Sequence, residues 1–232
     1  PAKICNGDVV LFTNKSKVLS GSMDFMWDFG TGKDSSNAPE PVFVFPNSGT
    51  YTVTLKAKTL PYGFLFTKQY TVTVNAVPTV AFTKANACMG KALTFTNNTT
   101  PTSATMTWNF GDGSSPVTTA TNPSKKYAKA GTYTVTLKAD LNGCVASMSQ
   151  KVYQFSRPAS SFSLASGTCD NEDFTFSNKS TIGSGLLGSF WDFDDAGSVS
   201  TDFNPTYRFA TPGVKNVKLV AVSEFGCADT TT

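Results

Sequence analysis

Three stretches of this sequence are versions of one another, and their period limits what the chain can fold into. Trp108-Asn109-Phe110-Gly111-Asp112-Gly113 is answered by Gly131-Thr132-Tyr133-Thr134-Val135-Thr136-Leu137. Upstream stand Trp27-Asp28-Phe29-Gly30-Thr31-Gly32 and Gly49-Thr50-Tyr51-Thr52-Val53-Thr54-Leu55, and downstream Trp191-Asp192-Phe193-Asp194-Asp195 and Gly213-Val214-Lys215-Asn216-Val217-Lys218-Leu219. The tryptophans are 81 and 83 positions apart (108 − 27, 191 − 108), and the glycines 82 apart each time (131 − 49, 213 − 131). Periods of ~20–50 residues make solenoids or propellers, whereas a period near 82 lets each unit be its own small domain. The spacing therefore predicts one domain written three times, over 1–76, 77–156 and 157–232.

Within a unit, Tyr133, Val135 and Leu137 alternate with Thr132, Thr134, Thr136 and Lys138. A period of two in β-branched and aromatic residues is the pattern of a strand with one wet face. Met106–Phe110 alternates as well, and Gly111-Asp112-Gly113 closes it as a turn. Repeats two and three are expected to open with an extra strand, at Val77–Thr83 and Arg157–Ser163, which repeat one lacks. Repeats one and two are expected to close with strands at Tyr70–Val74 and Ser147–Tyr153, and repeat three stops at Thr232 before completing its own. On that reading the chain is a segment of a longer one. The seams, Asn75-Ala76-Val77-Pro78 and Gln154-Phe155-Ser156-Arg157-Pro158, are short and carry proline, which favours a semi-rigid string.

The Trp-Asp/Asn-Phe-Gly-Asp-Gly block, the Asn-Pro segments (Asn122-Pro123 through Tyr127, Asn204-Pro205-Thr206-Tyr207) and Gly-Thr-Tyr-Thr-Val-Thr-Leu together resemble PKD (polycystic kidney disease) domains. Repeat one departs with Thr31 for the motif Asp and Glu40-Pro41 for Asn-Pro. Repeat three departs with Asp194-Asp195-Ala196-Gly197 and with Lys215 for the tyrosine. The resemblance implies an all-β chain of three tandem immunoglobulin-like sandwiches of about seven strands each. It makes Trp27, Trp108, Trp191, Tyr51 and Tyr133 core residues rather than sugar-stacking platforms.

Five cysteines occupy two repeat-equivalent positions: Cys5, Cys88 and Cys169 early, Cys144 and Cys227 late, with Phe64 at the late position of repeat one. Co-occurrence within repeats two and three predicts intradomain bridges Cys88–Cys144 and Cys169–Cys227, with Cys5 unpaired. The enclosed loops, 56 and 58 residues (144 − 88, 227 − 169), would each be worth roughly 4 kcal/mol on a chain-entropy treatment. That would help an 80-residue unit, which buries only ~60% of its unfolded surface. Disulfides place the chain in an oxidising, extracellular setting.

Several chemistries are disfavoured. The sequence has no histidine, which removes Ser-His-Asp and Cys-His nucleophile systems and His-bearing metal motifs. Net charge is +3, from dispersed lysine without a basic run, so no nucleic-acid partner is expected. No apolar run approaches the ~20 residues of a bilayer span, so no membrane insertion of this segment is expected. Asp192, Asp194, Asp195 and Asp202 are the candidate acid–base carboxylates. Asp192, Asp194 and Asp195 are also candidate calcium ligands, with alternation placing Asp192 and Asp194 on one strand face. Repeat two does not reproduce the cluster, and a solvated turn is favoured, so no metal, cofactor or catalytic residue is expected. The threonine faces (Thr50, Thr52, Thr54; Thr132, Thr134, Thr136) could meet polysaccharide, but threonine is an ordinary exposed strand residue. The sequons Asn97-Asn98-Thr99 and Asn178-Lys179-Ser180 matter only in a glycosylating host.

The function expected of such a chain is that of a non-catalytic stalk, spacer and adhesive surface of a larger cell-surface or secreted protein. Its expected partners are neighbouring repeats of the same chain, other surface proteins or polysaccharide. PKD repeats with paired cysteines resemble those of large adhesins of Bacteroidetes-type bacteria, including gliding adhesins exported by the type IX system. An accessory module of a secreted hydrolase is the alternative, and a polycystin-like ectodomain a third reading that the lysine-rich, threonine-rich composition disfavours.

Overall fold

The computed structural model of the protein describes residues 3–166 and 172–232; its described residues form strands and turns, without a helix. Repeat one contains β1 (Ile4–Cys5), β2 (Val9–Leu11), β3 (Ser22–Asp28), β4 (Ser35–Ser36), β5 (Val42–Val44), β6 (Gly49–Leu60) and β7 (Leu65–Asn75). Repeat two contains β8 (Phe82–Lys84), β9 (Ala87–Cys88), β10 (Leu93–Asn97), β11 (Thr105–Asn109), β12 (Ser124–Lys125), β13 (Gly131–Leu141) and β14 (Cys144–Phe155). Repeat three contains β15 (Phe162–Ser166), β16 (Phe174–Asn178), β17 (Leu187–Asp192), β18 (Val199–Ser200), β19 (Thr206–Tyr207), β20 (Lys218–Ser223) and β21 (Ala228–Thr231).

In each repeat the tryptophan strand pairs on the flank of a two-strand hairpin, which is central to the sheet in repeats one and two and forms its edge in repeat three. The orders are β1-β7-β6-β3-β4, β11-β13-β14-β9 and β18-β17-β20-β21. Register is the same in all three, with Trp27 opposite Leu55, Trp108 opposite Leu137 and Trp191 opposite Leu219. A slip by one residue would turn these side chains out to water, so the hydrophobic pattern sets the register. The second layer is β2-β5, β12-β10-β8 and β15-β16-β19. The chain is thus all-β, three sandwiches in a row.

The core of each sandwich is one aromatic triangle. Phe12, Phe95 and Phe176 lie 5.5, 5.6 and 5.5 Å from Trp27, Trp108 and Trp191, and 5.4, 5.5 and 5.6 Å from Phe29, Phe110 and Phe193. The tryptophans are buried, 2%, 0% and 0% exposed. Tilted aromatic pairs of this kind add ~0.5–1.5 kcal/mol each beyond their area burial. The Pro carbonyls fix the second layer, since Pro41, Pro123 and Pro205 each accept from the backbone N–H of the triangle phenylalanine, at 2.9, 3.0 and 2.9 Å. The preceding side chain does the same two residues on. Glu40, Asn122 and Asn204 accept from the N–H groups of Asn14, Asn97 and Asn178, which is why Glu can stand in for Asn in repeat one.

Tyr51 and Tyr133 are half-buried, and each hydroxyl donates four residues back, to Asn47 O at 2.7 Å and Lys129 O at 2.9 Å. This is a tyrosine corner. Repeat three replaces it with an ion pair, Lys215 Nζ to Asp195 Oδ1 at 2.8 Å. The motif glycine is needed for a close approach: at Gly30 (φ 74°) a Cβ would stand 2.6 Å from Thr52 O, and Gly111 meets Thr134 in the same way. Asp194 (φ 53°) takes that position in repeat three.

Three expectations change. The opening strands start later, at Phe82 and Phe162. Before them the chain makes only single bridges, Thr79 with Thr100 and Ala159 with Thr181, next to Pro78 and Pro158, which have no N–H to give a ladder. The closing strands β7 and β14 are longer than the alternation alone suggested, because their hairpin partners β6 and β13 extend equally far. The alternation that put Asp192 and Asp194 on one face ends at Asp192, since Asp194 has left the strand with a left-handed backbone.

Candidate functional site

The residues that distinguish this array from three beads on a string lie at the junctions. In repeats two and three the hairpin carries its turn at the pole facing the preceding repeat. Asn142 (φ 54°) and Gly143 (φ 90°) make the turn of repeat two, with Gly143 N donating to Asp140 Oδ1 at 2.7 Å, and Cys144 follows at once. In repeat three Cys227 follows Gly226 (φ 79°), with Ser223 N donating to its carbonyl at 2.8 Å. At the opposite pole a two-residue strand runs parallel to the end of the closing strand. Cys5 pairs with Asn75 in repeat one, and Cys88 with Phe155 in repeat two. Gln154 locks the second of these, its buried amide donating to Cys88 O at 2.6 Å.

The disulfides join these two poles across the seams: Cys5–Cys144, with Cα atoms 5.7 Å apart, and Cys88–Cys227, at 5.6 Å. This corrects the expected pairing Cys88–Cys144 and Cys169–Cys227 with Cys5 free. The reason is length. Cys144 begins β14 and Cys88 sits beside its last residue, Phe155, so about 11 residues of strand, ~36 Å at ~3.3 Å each, separate the two. A disulfide spans Cα atoms only up to ~7 Å apart. Cys169 lies outside the described residues, and its expected partner Cys227 is bonded to Cys88.

Around each staple the junction packs differently. At the first, the Lys3 side chain crosses to the hairpin of repeat two, where a Cβ on Gly143 would meet it at 2.7 Å. At the second, Phe155 stacks on Phe225 with ring centroids 4.3 Å apart and planes 13° from parallel, and Ser156 Oγ meets Ser184 Oγ at 2.7 Å. Phe155 and Phe225 occupy the positions that Asn75 and Asn142 occupy at the first junction. At the equivalent tip of repeat one Phe64 takes the cysteine position, and Tyr62 and Phe64 are 74% and 63% exposed.

The acidic cluster of repeat three is turned to internal bonds. Asp195 is buried and accepts from Lys215 Nζ, Ala210 N and the Tyr207 hydroxyl at 2.8, 2.9 and 2.9 Å; these bonds hold its carboxyl far below the usual range. Asp192 accepts from Asp194 N, and Asp194 from Asn216 N, both at 3.1 Å, while Asp202 offers its carbonyl to Trp191 Nε1 at 3.0 Å. The structure therefore puts the three candidate ligands in one turn but aims them at protein donors, and no group of three acidic or cysteine side chains among the described residues is arranged for a metal. In repeat two, burial pushes the Asp112 carboxyl up, but Lys125 at 2.6 Å and Ser114 outweigh it and hold it at about 2. Burial, with Asp112 and Tyr133 nearby, raises the Tyr127 hydroxyl well above the phenol range; it donates to Phe110 O at 2.8 Å.

Sequence reasoning placed Asn75, Gln154 and Phe155 in the seams but missed the contacts they make there, and it missed Phe225 as their partner across the second seam. They fall at turn tips and strand ends, where alternation gives no signal.

Among solved structures, the chain is similar to the PKD1 domain of Vibrio anguillarum Epp, at 23% identity over 34% of this chain and 93% of that one, with a TM-score of 0.29. It is also similar to the three-domain ectodomain of mouse nectin-like molecule 4 (11% identity, 98% and 93% covered, TM-score 0.45). A titin I-band fragment, I67–I69, matches as well (10% identity, 99% and 92% covered, TM-score 0.43). The PKD domain family is matched three times in succession, over residues 1–74, 75–154 and 156–232, and the chain belongs to that family.

Proposed function

We propose that this chain is a non-catalytic, extracellular load-bearing stalk, a spacer and contact surface of a larger cell-surface or secreted protein of the adhesin kind, in which each sandwich is covalently fixed to the next. PKD domains are typically extracellular modules, and tandem arrays of them suit a spacer or adhesion role. No helix among the described residues is long and apolar enough to cross a membrane. The observation that carries the reading is that both cystines cross a seam at the same sequence separation, 139 residues. A bridge inside a domain stabilises that domain; a bridge between domains fixes their spacing and orientation. Short proline-bearing seams, the Phe155–Phe225 stack and the Lys3–Gly143 approach act in the same direction. The partners in this reading are first the neighbouring repeats and then whatever the presented faces meet, another surface protein or a polysaccharide.

The test is the thiol state and exposure of the protein on its own cells. Labelling intact cells with a membrane-impermeant maleimide after mild reduction should tag the staple cysteines, and labelling without reduction should not. If Cys5, Cys88, Cys144 and Cys227 are all free in protein taken directly from cells, the exported, stapled stalk is wrong.

A further inference from the structure

Charge is shared unevenly along the chain. Residues 77–156 hold seven lysines and two aspartates, a net +5, against +2 for residues 1–76 and −4 for residues 157–232. Among the described residues only Lys125 of those seven lysines sits in an ion pair, with Asp112. Two of the others share the outer face of the β11-β13-β14 sheet. Trp108, Val135 and Leu137 are buried in the core, so the alternate residues point outward; the pairing sets Lys138 between Thr107 and Ser147, and Lys151 beside Thr134. Ser147 and Lys151 are four residues apart on β14, so the two ammonium groups are rooted ~13 Å from one another. Tyr153 comes next on the same face, with Lys84 Nζ 5.6 Å from its ring centroid. The sister repeats balance this face with carboxylates, Asp24 opposite Lys58 and Asp192 opposite Lys218. In repeat two Asn109 stands where they have Asp28 and Asp192, and Asp140, at the hairpin end, is bound to Gly143 N. Beyond Tyr153 the face continues over the second seam. The Tyr153 and Phe155 planes lie 3° from parallel with centroids 6.1 Å apart, and Phe155 stacks on Phe225. Tyr153 and Phe225 remain 40% and 55% exposed.

We infer that this face binds a linear, carboxylate-bearing polysaccharide, a polyuronate, laid along β14 from Lys138 to the Phe155–Phe225 stack. The inference rests on the stalk reading and deepens it, naming the chemistry of its polysaccharide partner. Three features of the face select that polymer. Lysines without a carboxylate partner favour a repeating anion, and each ammonium gives charge-assisted hydrogen bonds to a carboxylate. The hydroxyls of Ser147, Ser149 and Thr134 between them match a polymer that carries hydroxyl groups along its length. The exposed ring faces carry the negative side of the aromatic quadrupole, which receives the weakly positive C–H face of a sugar ring. Polyphosphate would satisfy the first of these and a neutral glucan the other two; a polyuronate satisfies all three. The site spans a seam, and the Cys88–Cys227 staple holds Phe225 in line with β14, so the two sandwiches present one continuous strip. Interdomain fixation then preorganises a surface as well as setting a length.

The experiment titrates the whole three-repeat protein, oxidised, with hexagalacturonate in low salt, following heat or backbone amide shifts. Thiol counting on the same sample shows beforehand that both cystines are closed, so a failed titration counts against this face and not against the stalk. Hexagalacturonate should bind, and bind more weakly as salt is raised. The pair Lys138→Gln with Lys151→Gln should weaken it by about tenfold or more, and Tyr153→Ser by several-fold. Lys56→Gln, at the position of repeat one that matches Lys138 and sits opposite Met26, should leave it unchanged. Maltohexaose, the neutral probe, and polyphosphate, the anion without a sugar ring, should each bind at least tenfold more weakly. The inference is overturned if hexagalacturonate does not bind, if Lys56→Gln weakens binding as much as the lysine pair, or if either comparison probe binds equally well.

Discussion

Pulling the protein by its two ends should stretch it by a length that reports the cystine connectivity. Cys5 and Cys227 are separated by 222 residues of chain (227 − 5), roughly 780 Å when fully extended at about 3.5 Å per residue. With both staples closed, the shortest covalent route crosses from Cys5 to Cys144, runs back along 56 residues to Cys88 and crosses to Cys227, roughly 195 Å. Bridges inside repeats two and three would leave 83 residues from Cys5 to Cys88 and 25 from Cys144 to Cys169, roughly 380 Å. The short flanks outside Cys5 and Cys227 add about 30 Å in every case. The same geometry says which repeat carries the load. Cys5 and Asn75 are paired at one pole of repeat one, so its body hangs beside the force path, while repeat two is pulled between Cys144 at one end and Cys88 at the other. Optical-tweezers traces of oxidised protein should therefore show a total contour near the shortest value, lengthening about fourfold in reductant. Trp27→Ala, which weakens only repeat one, should leave the oxidised force peak unchanged, whereas Trp108→Ala should lower it. A contour near 380 Å in oxidised protein, or no change on reduction, would refute the load path.

Peptide mapping without reduction should yield Cys5–Cys144 and Cys88–Cys227 linked peptides; a Cys88–Cys144 linked peptide with Cys5 tagged by alkylation of the denatured, unreduced protein would restore the intradomain pairing. Trp108→Ala removes a fully buried ring from the centre of repeat two and should cost about 3–5 kcal/mol of that repeat's stability in urea melts; a loss under 1 kcal/mol would contradict its place in the core. Tyr133→Phe deletes only the corner hydrogen bond to Lys129 O, so a loss of about 1 kcal/mol is expected by the same assay, and none if the corner is idle. Asp112 titrates near 2 when folded, below its unfolded value of about 3.9. Its contribution is therefore fully present above about pH 4 and lost as pH falls toward 2. The difference in melting temperature between the protein and Asp112→Asn should be constant from pH 7 to pH 5 and shrink steadily as pH falls toward 2.

Much of the fold was legible because repetition tests every pattern three times. The Thr-Tyr-Thr-Val-Thr-Leu alternation is buried where it must be, at Val53, Leu55, Val135 and Leu137, since a period of two leaves a half-buried strand no other register. The Asn-Pro block was legible as a marker but not as a mechanism. Only the structure shows that it clamps the N–H groups of Phe12, Phe95 and Phe176. It also shows that Tyr127 and Tyr207 are not equivalent. Tyr127 stacks on Tyr133 at 3.8 Å, whereas Tyr207 stacks on Phe193 at 4.2 Å and donates to Asp195. The irregular third repeat is thus a second solution to one problem. Once Lys215 replaces the corner tyrosine, an ion pair with Asp195 holds the strand that the tyrosine hydroxyl otherwise holds.

The cysteine pairing was the illegible part, and the reason is instructive about what spacing measures. Equivalence of two positions within a repeat says that they recur together, not that they meet. Cys88 and Cys144 recur together because each belongs to a different junction, one at either end of β14. The numbers carried the answer in another form: the separations inside repeats are 56 and 58 residues, whereas those across the seams, 144 − 5 and 227 − 88, are both 139. In such an array the staple count follows the number of seams and not the number of domains. Replacing Cys144 with serine should therefore loosen one seam while leaving the folding of repeat two itself nearly unchanged. Scattering should show an array that bends at residues 75–78, and a urea midpoint for repeat two that drops with the mutation would instead mean that the bridge stabilises the domain directly.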